Sequence, residues 1–134
     1  MNIKEIVKNQ PQGLISRAHN FAQRAHAGQK RLTGEPYFNH VLQTAEILNS
    51  WNLDEATIAT GLLHDSIEDT KITLENIKND FGEEIAFLVD GVTKLGHLKY
   101  RGVERKVENL RKLIFAISED LRVVFIKVAD RLHN

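Results

Sequence analysis

One stretch of this chain reads as a strand, and nothing else in the sequence can pair with it. Leu121-Arg122-Val123-Val124-Phe125-Ile126-Lys127-Val128-Ala129 is nearly continuous in apolar, mostly β-branched residues. Periodicity alone cannot separate a buried strand from a buried helix in such a run. The other apolar segments all recur at helical spacing. A lone strand would leave its backbone N–H and C=O groups unmet. Asp120–Asn134 is therefore predicted to be a central buried helix, and the chain all-α.

The remaining helices follow in order. Met1–Gln12 is a lead-in, helix-like or loose, punctuated by Pro11 and Gly13. Leu14, Ile15, Ala18, Phe21, Ala22 and Ala25 define a helix that should stop at Gly28 as its left-handed cap. His26 in its last turn is read as a helix-end cation, and His19 as a surface or half-buried histidine. Gln29–Asn39 is a loop turned by Gly34 and Pro36. His40 opens the next helix, with Val41, Leu42, Ala45, Ile47 and Leu48 on its apolar side. Asp54 is placed to cap a helix whose buried stripe is Ile58, Ala59, Leu62, Leu63 and Ile67. Thr73 and Gly82 bracket another, carried by Leu74, Ile77 and Phe81. Glu83–Leu95 repeats the period, and Gly91 inside it costs about 1 kcal/mol relative to Ala, which implies close packing. Gly96–Arg105 reads as a basic loop over the site with His97 exposed, and Val107–Ile117 as a helix.

Composition removes several function classes. Lys and Arg number 18, as do Asp and Glu, so no global field favours nucleic acid or a membrane surface. No apolar run approaches the roughly 20 residues of a membrane span. With no cysteine, neither disulfides nor thiolate metal sites can form. Met1–Gln12 lacks the apolar core of a signal peptide, so the expected location is the cytoplasm. A chain of 134 residues fits one domain.

The chemistry gathers in Gly61-Leu62-Leu63-His64-Asp65-Ser66-Ile67-Glu68-Asp69-Thr70. On a helix, residues four apart share a face, which sets His64 near Glu68 and Asp65 near Asp69, off the buried stripe. Together with His40 upstream and Asp130 downstream, the order is H…HD…D. Two imidazoles and two carboxylates suit a divalent cation between the hard and soft extremes. Such a cation lowers the pKa of water from about 15.7 to roughly 7–9, as phosphate-ester hydrolysis requires. Lys30 and Arg31 in the loop suit phosphate pairing, or a guanidinium stacked on a flat base.

This order and spacing resemble the HD phosphohydrolase superfamily, and within it the hydrolase domain of the Rel/SpoT proteins of the bacterial stringent response. The resemblance is carried by Ala25-His26-Ala27-Gly28-Gln29, by Gly34-Glu35-Pro36-Tyr37 leading to His40, and by Leu62–Thr70. It continues through Leu88-Val89-Asp90-Gly91-Val92-Thr93-Lys94-Leu95, Glu108–Lys112 and Ile126–Asn134. It implies an all-α HD-domain helical bundle, short at its C-terminal end relative to the family, over residues 1–134. It implies Mn²⁺-dependent removal of the 3′-pyrophosphate from (p)ppGpp, giving GDP or GTP and pyrophosphate. By motif, His40, His64, Asp65 and Asp130 resemble the metal ligands, and Glu68 and Asp69 the pair that orients or deprotonates water. Arg31 resembles the base-stacking arginine, with Lys30 beside it, and Asn134 a contact to the sugar end. Two alternatives stay open: an HD remnant that binds metal or nucleotide and needs a partner chain or a second copy, and another HD-type nucleotide phosphohydrolase.

Overall fold

The computed structural model describes residues 1–96 and 120–133, with only the backbone of Asp69 and Gly96. Eight helices are described: α1 (Ile3–Asn9), α2 (Leu14–Ala25), α3 (Tyr37–Ser50), α4 (Glu55–Leu63), α5 (Ser66–Asp69), α6 (Leu74–Phe81), α7 (Glu83–Gly96) and α8 (Leu121–His133). Among the described residues the extended pairing is one isolated antiparallel bridge, Lys30 with Pro36. None of these helices is long and apolar enough to cross a membrane.

The predicted caps form. Asp54 accepts the Thr57 amide at the start of α4, and Thr73 makes a reciprocal capping box with Asn76 on α6. Gly82 ends α6 at φ +95°, a conformation that strains any residue with a Cβ. The lead-in is a true helix. Asn2 caps it, Ile3 is fully buried, and the Ile3 amide donates to Glu46 Oε1 at 2.5 Å. α2 ends at Ala25, three residues before the predicted stop, while Gly28 adopts φ +81° in the turn that follows.

The centre of the bundle is α4, not the segment the sequence nominated. Every residue from Thr57 to Leu63 is buried, and α4 packs against α2, α3, α7 and α8. Gly61 allows the approach to α3, since a Cβ there would lie 2.6 Å from Leu48 Cδ1. α8 is a helix, as expected, but it is buried on one face only, through Val123, Ile126, Ala129 and Asp130. Leu121, Phe125, Val128 and Leu132 lie on its exposed side. β-branched residues made the run look uniformly buried, whereas helical geometry deals them to two faces.

Two contacts fix α8 against the core. Gly91 on α7 faces Val123, and a Cβ there would meet Val123 Cγ2 at 2.8 Å, the close packing its sequence position implied. At the N-terminal end, Arg122 reaches Asp54 (3.0 Å), Glu84 (3.2 Å) and Asp120 (2.6 Å), linking the starts of α4, α7 and α8. The predicted loop Gly96–Arg105 and helix Val107–Ile117 lie outside the described residues, apart from the backbone of Gly96.

Candidate metal centre

The buried helix α4 runs directly into the site. It stops at Leu63, and His64 and Asp65 continue the turn before the short α5 begins. The segment is therefore not one helix through Asp69. His64 is 2% exposed, so it does not fall off the buried stripe as the helical reading had it.

The four residues of the H…HD…D series come together. His40, His64, Asp65 and Asp130 each offer a ligand atom, and these atoms all lie within 4.8 Å of one another. They arrive from α3, from the α4–α5 turn and from α8, three elements packed on one another. His40 Nε2 is 2.7 Å from Asp130 Oδ1. His64 Nε2 is 3.2 Å from both Asp130 Oδ1 and Asp65 Oδ2. His40 Nε2 to Asp65 Oδ2 is 4.0 Å.

The orientation of His64 is fixed by its other nitrogen. Nδ1 donates to the Gly61 carbonyl at 2.7 Å, so Nε2 must face the centre. In neutral His64 that Nε2 carries a lone pair, directed at two carboxylate oxygens. An acceptor facing two acceptors needs a cation between them, either a proton or a metal. Burial pushes the His64 imidazole down, but the adjacent Asp65 charge and hydrogen bonds to Asp130 and Asp65 overcome this and raise it to about 10. Burial likewise pushes Asp65 and Asp130 up, and their histidine partners outweigh it, holding both below the usual carboxylate range. This mixed nitrogen and oxygen donor set fits a divalent cation of the Mn²⁺, Fe²⁺ or Zn²⁺ kind.

Three further side chains brace the ligand candidates. The Tyr37 hydroxyl donates to Asp65 Oδ2 at 2.8 Å. Lys127 Nζ donates to Asp130 Oδ2 at 3.3 Å, leaving Oδ1 to the histidines. His133 Nδ1 meets His40 Nδ1 at 2.7 Å. Sequence reasoning assigned none of these a role. Lys127 and His133 sit three residues either side of Asp130, one helical turn away, which was the signal available for them. Tyr37 offered none beyond its nearness to His40.

The other predicted residues lie around this centre. Glu68 is exposed on α5, outside the four-residue cluster, and Asp69 ends that helix. Lys30 is exposed and Arg31 half-buried in a tight loop, where the Arg31 amide donates to the Glu35 carbonyl at 2.8 Å. His133 is pushed down by burial, then by His40 and Arg31. Asn134 lies outside the described residues. His26 is no exposed helix-end cation: it is 2% exposed, its Nδ1 donates to Gln29 Oε1 at 2.8 Å, and its ring lies 5.0 Å from that of Tyr37. The chain bends at Gly28, folding the residues after α2 back over the imidazole.

Known proteins resemble this chain throughout. The family model for the HD domain matches residues 18–134. The chain is 52% identical over 126 residues to a GTP pyrophosphokinase of Brucella ovis, covering 92% of this chain and 16% of that protein. It is 47% identical over 135 residues to a guanosine-3′,5′-bis(diphosphate) 3′-pyrophosphohydrolase of Aquifex aeolicus, covering 99% of this chain and 19% of that protein. The chain thus spans less than a fifth of the length of these curated relatives. A solved structure of a metazoan ortholog of SpoT, described as hydrolysing ppGpp and acting in starvation responses, superposes with a TM-score of 0.70. It is 30% identical, covering 92% of this chain and 69% of that one.

Proposed function

Because the chain belongs to the HD-domain family, on its Rel/SpoT branch, we propose that it is a Mn²⁺-dependent hydrolase that removes the 3′-pyrophosphate of (p)ppGpp. Water is consumed, its oxygen joining the pyrophosphate and a proton passing to the ribose 3′ oxygen, to give GDP or GTP. The observation that carries this reading is the convergence of two imidazoles and two carboxylates within 4.8 Å at the end of a buried helix. The Aquifex relative and the metazoan neighbour, both described as acting on this nucleotide, support the choice of substrate.

In this reading His40, His64, Asp65 and Asp130 hold the cation. When bound, it supplies Lewis acidity, lowering the pKa of water and offsetting charge on the phosphate oxygens. The protein residues do the rest. The Gly61 carbonyl and Tyr37 hydroxyl hold His64 and Asp65 in place before substrate arrives, so little reorganisation remains. Glu68 and Asp69, on the short helix that follows the ligand pair, orient the water and take its proton. Arg31 lays a planar cation on the guanine, Lys30 offers charge to phosphate, and Asn134 meets the sugar end. The site belongs inside the cell, where the nucleotide is found.

Incubating the purified chain with ppGpp and Mn²⁺ should release pyrophosphate and GDP. Binding of Mn²⁺ with no pyrophosphate release would remove the assigned activity. Preferential hydrolysis of a nucleotide lacking a 3′-pyrophosphate would overturn the substrate.

A further inference from the structure

The two histidines of the centre share one design. Each turns Nε2 toward the carboxylates and Nδ1 away from them. For His64 the outer nitrogen donates to a backbone carbonyl, a group that can only accept. For His40 the outer nitrogen meets an imidazole, His133 Nδ1, at 2.7 Å. The His40 and His133 ring centroids are 4.9 Å apart with a 27° tilt. That separation is about two ring radii plus one short hydrogen bond, so the rings meet nearly edge to edge along the N–N line rather than face to face.

We infer that His133 is a positioning residue that accepts a hydrogen bond from His40 Nδ1–H and so presents the His40 Nε2 lone pair to the metal centre. The inference rests on the metal-binding role proposed above. If His40 is to ligate through Nε2, its single ring proton must sit on Nδ1 and needs an acceptor. His133 Nδ1 is the atom within hydrogen-bond distance there. Asp130 and His133 stand three residues apart on the last turn of α8, so one helical turn grips both nitrogens of His40. Displacing that turn therefore displaces a ligand and rotates a second. An imidazole differs from the carbonyl behind His64 in one useful respect: by exchanging tautomers it can also donate. Without a cation, His40 can give its proton to Asp130 Oδ1 from Nε2 and receive one at Nδ1 from His133.

Two near-isosteric substitutions separate this role from packing. Asn places its carbonyl oxygen where His Nδ1 lay, whereas Leu fills similar space with no acceptor. Mn²⁺ affinity of wild type, His133→Asn and His133→Leu is measured by calorimetry, with circular dichroism checking that each is folded. The expected result is a loss on the order of 10–100-fold in Mn²⁺ affinity for His133→Leu, with His133→Asn close to wild type. Equal affinity in all three, or equal loss in both variants, overturns the inference. Failure of wild type to bind Mn²⁺ overturns instead the metal-binding reading beneath it.

Discussion

Gly91→Ala is a one-carbon change on α7, and the residue it would press, Val123, lies about 10 Å along α8 from Asp130, the distance seven helical residues span. The added Cβ would sit 2.8 Å from Val123 Cγ2, where ordinary contact begins at 3.4 Å. Relief requires a shift of about 0.6 Å (3.4 − 2.8). Val123 is 3% exposed and stiff at χ1, so its side chain cannot simply turn aside. α8 must move. Overpacking of this kind costs about 1–3 kcal/mol, against a gain of about 1 kcal/mol from replacing a mid-helix Gly. The net expectation is destabilisation by about 0–2 kcal/mol. The functional effect should be larger, because α8 carries Asp130 and His133 on the turn that closes the centre. Displacement approaching 1 Å at a catalytic site costs on the order of 10²-fold in rate. Thermal unfolding and Mn²⁺ calorimetry on Gly91→Ala, Val123→Ala and the double variant read both effects. Val123→Ala leaves space for the new methyl, so the double variant should recover metal affinity lost in Gly91→Ala. A Gly91→Ala protein with unchanged metal affinity, or a double variant showing simple additivity, would refute the claim that this contact sets the position of α8.

Three other perturbations separate the remaining roles. Asp65→Ala should abolish Mn²⁺ binding and pyrophosphate release together, whereas Glu68→Gln should retain the metal and lower kcat by about 10²–10⁴-fold; metal loss in Glu68→Gln would remove its assigned role. Arg31→Ala should raise KM roughly tenfold with kcat little changed, the size expected for losing a cation stacked on a base, and steady-state kinetics decide it. His64 is raised to about 10 from an ordinary 6.5, so the metal-free fold holds a proton the unfolded chain releases across that window. Metal-free stability should therefore be full below pH 6.5 and fall as pH rises toward 10, by up to about 1.4 kcal/mol per unit, while Mn²⁺ affinity rises over the same range as the metal displaces that proton. Denaturant melts between pH 6 and 9, with and without Mn²⁺, test this; flat or rising metal-free stability would contradict it.

Helical spacing and cap chemistry were readable because they are local. Asp54, Thr73 and Gly82 act on their own turn, and their positions matched. The meeting of His40, His64, Asp65 and Asp130 was legible only as an ordered pattern, since no spacing rule brings residue 130 to residue 40. The misread elements depend on tertiary contacts. The β-branched run of α8 hid its two faces, so centrality was assigned to the wrong helix and α4 was passed over. The break after Leu63 carries neither Gly nor Pro, so no local signal marked it, and His64 and Ser66 on either side of it are both buried. His26 looked like a helix-end cation because nothing local says that the chain folds back over it.

The most direct test of the account is a crystal grown with Mn²⁺ and measured above and below the manganese absorption edge. A single anomalous peak should lie in coordination contact with His40 Nε2, His64 Nε2, Asp65 and Asp130. A peak elsewhere, or no peak in a crystal saturated with Mn²⁺, would contradict the assignment of these four side chains to one metal centre.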